Sequence, residues 1–290
     1  MITATTKDEV RKQVKRWKEA GLTVGLVPTM GALHQGHVSL VEASVSQCDR
    51  TVASVFVNPT QFSAGEDLEA YPRDFERDRE ILEKAGCSMV FHPSVEEMYP
   101  AGSATYVDMD SEMTRQLCGR SRPAHFRGVC TVVSKLFNIV TPHKAFFGEK
   151  DAQQLAVIRQ MERDMAFGIT IVGCPTVREE DGLARSSRNA YLKEEERKAA
   201  SVLYKAVVEG RRLIRRGEGN GRRIEKAMRE LIEKEPLARI DYVEAVDGAT
   251  LQPKETVEDG DLIALAVYIG KTRLIDNFTV RNGERESIKK

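Results

Sequence analysis

Between residues 23 and 175 the chain alternates short apolar runs with charged stretches of helical period. The runs are TVGLVPT (Thr23–Thr29), TVASVFVNP (Thr51–Pro59), SMVFHP, KAFFGEK and ITIVGCP. Strands this apolar must be covered on both faces, which predicts a parallel sheet between layers of helices. The intervening helices carry their own signals. Thr6-Lys7-Asp8-Glu9 reads as a capping box before Val10, Val14 and Trp17 at helical spacing. His37 to Gln47, DFERDREILEKAG with its glycine stop at Gly86, VVSKLFNIV and QQLAVIRQMERDM supply the others. The first two-thirds therefore reads as a doubly wound α/β domain, in which ligands bind outside the carboxyl ends of the strands.

The pattern changes after about Arg188. Two charged helices, Lys193 to Arg216 and Gly221 to Glu235, precede three β-like runs, RIDYVEAVD, DLIALAVYIG and TRLIDNFTV. Helices followed by adjacent strands predict a smaller α+β domain with a short antiparallel sheet. The expected division is 1–188 and 189–290, with RNGERESIKK as a loose tail.

Charge narrows the partners. Lys+Arg and Asp+Glu both number 44, so the formal charge is zero. Such a chain has no global pull toward nucleic acid or anionic membrane. Five scattered cysteines without a C-x-x-C pair fit reduced thiols better than disulfides or zinc. The beginning MITATTKDEVRKQV lacks a signal-peptide core, and no run of about 18 apolar residues is present, so the chain reads as cytoplasmic.

Three polar stretches begin near predicted strand ends. After the first strand comes MGALHQGHVSL, with His34 and His37 flanking Gly36. A strand-to-helix junction offers free N–H groups and the positive end of a helix dipole. Imidazoles there could donate to phosphate oxygens; the plainer reading is two partly buried structural histidines. Asn58 and Gln61 in VNPTQF are neutral amides suited to a small polar substrate, and also ordinary turn residues. Gly148-Glu149-Lys150-Asp151 could offer phosphate a cation, or simply form a turn. A fourth stretch, VREEDGLARSSRNAYL, brings Arg185, Ser186, Ser187 and Arg188 to the domain boundary, where they suit phosphate or cap a helix.

In this order and at these separations, VPTMGALHQGH, SVFVNPTQF, RPAHFRGV, FFGEKDAQQL and DGLARSSRNAYL resemble pantothenate synthetases. These are pantoate–β-alanine ligases of the HIGH/KMSKS nucleotidylyltransferase superfamily. The likeness runs from about Thr23 to Val280. It implies a Rossmann-like domain, a C-terminal lid or dimer-associated domain, and a homodimer. It also implies ATP carried with Mg²⁺, with pantoate and β-alanine joined through a pantoyl-adenylate. By motif matching, His34, His37 and Lys150 would be catalytic, with His37 the proton donor. Met30, Gly31, Gly148, Asp151 and Val177 would line the ATP site, and Arg185, Ser186, Ser187 and Arg188 would hold its phosphates. Gln61, Gln154 and the weaker candidate Asn58 would contact substrate; no resident metal site and no role for His125 or Arg127 is implied. Arg185 stands where the family often has Met. The rivals are a nucleotidylyltransferase releasing an adenylated product, an aminoacyl-tRNA synthetase fragment, and a nucleotide-binding regulator.

Overall fold

The computed structural model describes residues 1–63, 65–66 and 68–281. The tail expected after Arg281 lies outside them. The chain forms two compact units. The first comprises 1–110, 122–149 and 157–176; the second comprises 111–121, 150–156 and everything from Val177 on. In this division the Arg185–Arg188 loop lies in the second unit.

The first unit holds a sheet of β1 (Ile2–Ala4), β2 (Val24–Thr29), β3 (Arg50–Val55), β4 (Met89–Phe91), β5 (Lys144–Gly148) and β6 (Thr170–Cys174). All neighbours are parallel, in the order β1-β4-β3-β2-β5-β6. The helices are α1 (Lys7–Glu19), α2 (Gln35–Gln47), α3 (Phe75–Lys84), the short α4 (Val95–Met98) and α6 (His125–Val140). Leu40 and Val41 of α2 and Leu82 of α3 pack on Val27, Ala53, Val55 and Val90. The alternate strand residues Val24, Leu26, Val52 and Met89 are equally buried and face the other way, where α1 and α6 meet. This is the two-faced burial that the apolar runs require.

Strand order reverses between β2 and β5, so the crevice at their carboxyl ends is the expected ligand site. The two strands pair only at Gly25 with Lys144 and Leu26 with Ala145. Beyond Leu26 they separate, and Pro28, which has no N–H to give, is tolerated inside a central strand because only β3 still accompanies it.

The second unit contains α5 (Cys118–Ser121), the start of α7 (Ala152–Met165), α8 (Glu194–Ala199), α9 (Val202–Arg215) and α10 (Gly221–Ile232). Its antiparallel sheet is β7 (Ala238–Val246), β8 (Leu262–Ile269) and β9 (Thr272–Thr279). Leu203, Val207 and Ile214 of α9 and Ile224, Met228 and Ile232 of α10 bury against this sheet. The single helix expected over Lys193–Arg216 is interrupted at Ala200 and Ser201, whose ψ of −24° and −18° tightens the turn toward 3₁₀.

Candidate active site

The first unit presents the histidine motif at the end of β2. Helix α2 starts at Gln35, two residues earlier than the sequence predicts, so His34 is its N-cap and His37 its third residue. The two side chains form a reciprocal cap. Gly36 N–H donates to His34 Nδ1 at 3.1 Å, and His34 N–H donates to His37 Nδ1 at 3.3 Å. The rings lie 4.0 Å apart, tilted by 34°. Since both Nδ1 atoms accept, each neutral ring carries its proton on Nε2. The cap thereby fixes the ring orientations and the tautomers together.

The loop before them turns around a buried carboxylate. Asp78 of α3, 2% exposed, accepts from Ala32 N–H at 2.9 Å and Leu33 N–H at 2.8 Å. Gly31 and Ala32 have φ of +84° and +50°. A Cβ on Gly31 would stand 2.8 Å from Asp78 Oδ2, so only glycine suits this position. Burial pushes the Asp78 carboxyl above its ordinary value, against the two backbone hydrogen bonds that lower it. The sequence offers no pointer to Asp78, which lies in an ordinary charged helix.

Gln61 follows β3 in a short 3₁₀ turn, Pro59–Gln61. Asn58 caps that turn and is 1% exposed. Its amide donates to Gln61 Oε1 and to the Gly128 carbonyl, both at 3.1 Å. Its oxygen accepts from Tyr99 Oη at 2.8 Å and Thr60 Oγ1 at 2.9 Å. Both Asn58 amide protons are thus committed inside the protein, where they hold Gln61. The Gln61 Nε2 donates to Met30 Sδ at 2.8 Å, linking the β3 turn to the β2 loop.

Helix α6 closes on this turn through Gly128. A Cβ there would come within 2.5 Å of Gln61 Cα and N. His125, one turn earlier, bonds through Nδ1 to the Gln61 carbonyl at 2.9 Å. Arg127 instead stacks over Tyr106, 5.0 Å from its centroid.

The second unit carries the cationic residues. Gly148 ends β5 in the first unit, and Lys150 and Asp151 follow it in a 3₁₀ turn of the second. Lys150 Nζ stands 3.6 Å from Asp151 Oδ2, with the lysine side chain 20% exposed. The Lys150 carbonyl accepts from Asn277 Nδ2 of β9 at 2.8 Å. Of the two neighbouring glutamines, Gln153 is buried and bonded to Met113, Gln116 and Cys118, whereas Gln154 is half-buried.

The Ser/Arg loop opens with a hairpin. Arg185 N–H donates to the Val177 carbonyl at 3.0 Å, and Arg178 pairs with Ala184. Its root is fastened by Arg178, which bonds both oxygens of buried Asp276 at 2.6 and 2.9 Å. Burial lowers the Arg178 pKa, but Asp276 outweighs it and holds it above the ordinary value. Ser186 Oγ caps the turn that begins at Ser187, accepting from Arg188 N–H at 3.3 Å. Arg185 Nε is buried without a hydrogen-bond partner among the described residues. The loop thus sets two arginines and two hydroxyls side by side along the chain.

Comparison with known proteins gives one answer. A sequence model of the pantoate-beta-alanine ligase family matches residues 2–279. Pantothenate synthetase of Clostridium acetobutylicum is 56% identical over 271 residues, 93% of this chain and 96% of that protein. The Enterococcus faecalis enzyme of that name is 53% identical over 279 residues, covering 96% and 99%. The crystal structure of pantothenate synthetase from Thermus thermophilus superposes with a TM-score of 0.93 at 47% identity, covering 97% of this chain and all of that one. Pantoate-beta-alanine ligase from Francisella tularensis, solved with beta-gamma ATP and beta-alanine, gives 0.80 at 33% identity, covering 96% and 97%.

Proposed function

The chain belongs to the pantoate–β-alanine ligase family, and from that premise we propose how its residues divide the work of joining pantoate to β-alanine at the expense of ATP. The pantoate carboxylate attacks the α-phosphate, pyrophosphate leaves, and pantoyl-adenylate forms. The amine of β-alanine then attacks the acyl carbon and AMP departs. The difficulty is charge, because a carboxylate must approach a polyanion. Positioning and electrostatic stabilisation therefore carry the catalysis.

The reciprocal cap of His34 and His37 carries this reading. It places two rings, each with its proton on Nε2, at the start of α2, at the end of β2 where the strand order reverses. His34 and His37 would contact the ATP phosphates, with His37 the proton donor, and Lys150 would offset charge at the α-phosphate. Met30, Gly31, Gly148, Asp151 and Val177 would line the adenosine. Arg185, Ser186, Ser187 and Arg188 would take the departing phosphates. Gln61 and Gln154 would grip pantoate, Gln61 also serving β-alanine, with Asn58 the weaker substrate candidate beside Gln61, which it bonds.

Magnesium belongs to the substrate as MgATP. Among the described residues no three His, Cys, Asp or Glu side chains gather into a metal site of the protein's own. We also propose a cytoplasmic homodimer. No helix among the described residues is long and apolar enough to cross a membrane, and light scattering measures the assembly.

The test is AMP release. It should require pantoate and β-alanine together, whereas pyrophosphate release should require pantoate alone. AMP formed without β-alanine, or release of an adenylated end product, would contradict the reading.

A further inference from the structure

We propose that His125 is a positioning residue for pantoate: a neutral imidazole protonated on Nδ1, which fixes the backbone of Gln61 and is itself fixed by Arg122 and Glu66. The proposal rests on the reading of Gln61 as the pantoate-gripping amide.

The direction of each bond follows from chemistry. Arg122 donates from one terminal nitrogen to His125 Nε2 at 3.2 Å. A guanidinium has no acceptor, so Nε2 must be bare and the proton must sit on Nδ1. From there it reaches the Gln61 carbonyl at 2.9 Å. Arg122 is anchored in turn, because its Nε and other terminal nitrogen grip the two oxygens of Glu66 at 2.6 and 2.7 Å. The guanidinium thus spends one edge on the carboxylate and one N–H on the ring. Burial pushes the Glu66 carboxyl up, but the bond to Arg122 and its charge leave it below the ordinary value. The fork stays charged, and with it the ring's tautomer stays set.

The geometry explains why a histidine is used. Gln61 is held at its side chain by Asn58, while His125 holds the same residue by its backbone. His125 is 9% exposed. Its tautomer is the opposite of that at His34 and His37, whose Nδ1 atoms accept. One chain therefore holds two capping imidazoles protonated on Nε2 and one bracing imidazole protonated on Nδ1.

The test has two arms. In the full chain labelled with ¹⁵N-histidine, the His125 resonances, identified by their loss in His125→Asn, should report a neutral ring protonated on Nδ1. A ring protonated on Nε2, or an imidazolium at neutral pH, would overturn the proposal. In kinetics, His125→Asn retains a donor where Nδ1 stood, while His125→Gln moves it one bond outward. The Gln and Ala variants should raise the KM for pantoate about tenfold, the worth of one lost hydrogen bond. Their KM for ATP should hold, and the Asn variant should recover most of the loss. Gln61→Ala should raise the same KM, and the Gln61→Ala/His125→Ala pair should fall short of additive. If Gln61→Ala is impaired while the Asn and Gln variants of His125 behave alike, the relay is wrong and the role of Gln61 stands. If Gln61→Ala leaves pantoate binding unchanged, the reading of Gln61 falls and the relay falls with it.

Discussion

Asn277 reaches from β9 to Lys150, donating from Nδ2 to its carbonyl at 2.8 Å. The next residue back, Asp276, grips Arg178 at the root of the Ser/Arg loop. One dipeptide on a buried strand thus fastens both segments proposed to meet the phosphates. Asn277→Ala should therefore slow pyrophosphate release about tenfold, the worth of one hydrogen bond, while Tm changes little. Asn277→Asp should be no better, since a carboxylate has no proton for that carbonyl. Wild-type pyrophosphate release in both variants would mean that the lysine turn needs no fastening.

Gly128→Ala places a methyl group against the backbone of Gln61, within 2.5 Å of Cα and N. Either α6 or the 59–61 turn must give way, and overpacking of this kind costs about 1–3 kcal/mol. The expected outcome is a lower Tm and a raised KM for pantoate. If neither changes, the close packing is not what positions Gln61.

Asp78 gives a pH signature. Asp78→Ala leaves the Ala32 and Leu33 N–H groups without this acceptor, at about 1–3 kcal/mol for each group left unsatisfied. In the wild type, burial raises the Asp78 pKa above its ordinary value. The folded state then binds the proton more tightly than the unfolded state. The resulting stabilisation is fully present below the unfolded value and is lost as pH rises through the raised one. Denaturant titrations of wild type and Asp78→Asn should show the wild-type advantage falling across that acid window and level above it. An advantage that grows with pH there would contradict the assignment.

His37→Ala removes an Nε2–H donor at the start of α2 and one half of the reciprocal cap. Loss of such a stabilising contact lowers the rate by about 10²–10³-fold. That loss is expected in pantoate-dependent pyrophosphate release, with the fold intact by circular dichroism. An unchanged rate would remove His37 from the chemistry.

The sheet was legible because burial on both faces leaves a sequence signature, and Val24–Thr29, Arg50–Val55 and Lys144–Gly148 all start within a residue of predicted runs. The capping box at Thr6 and Glu9 forms as its spacing predicts. The edge strand Ile2–Ala4 escaped notice because three residues carry no period. Candidate site residues were legible only where chemistry-bearing residues cluster along the chain. Asp78 sits 45 residues from Leu33, and its helix reads as plainly amphipathic. Two supports did leave a local trace. Asp276 and Asn277 sit inside a strand, where such residues are disfavoured, and Gly128 sits inside a helix at a cost of about 1 kcal/mol relative to Ala. Each breaks a local rule at a position where tertiary structure requires it.

The central claim is that His34, His37 and Lys150 serve attack on the α-phosphate, and the path of one oxygen tests it. The account routes no acyl group through a serine or cysteine of the chain, so an acyl-enzyme is not expected. If the pantoate carboxylate attacks the α-phosphate, one of its oxygens bridges the adenylate and leaves with AMP when β-alanine arrives. Pantoate labelled with ¹⁸O in its carboxylate should therefore give labelled AMP and unlabelled pyrophosphate by mass spectrometry. Label in inorganic phosphate with unlabelled AMP would mean attack on the γ-phosphate and an acyl-phosphate intermediate, and would contradict the account.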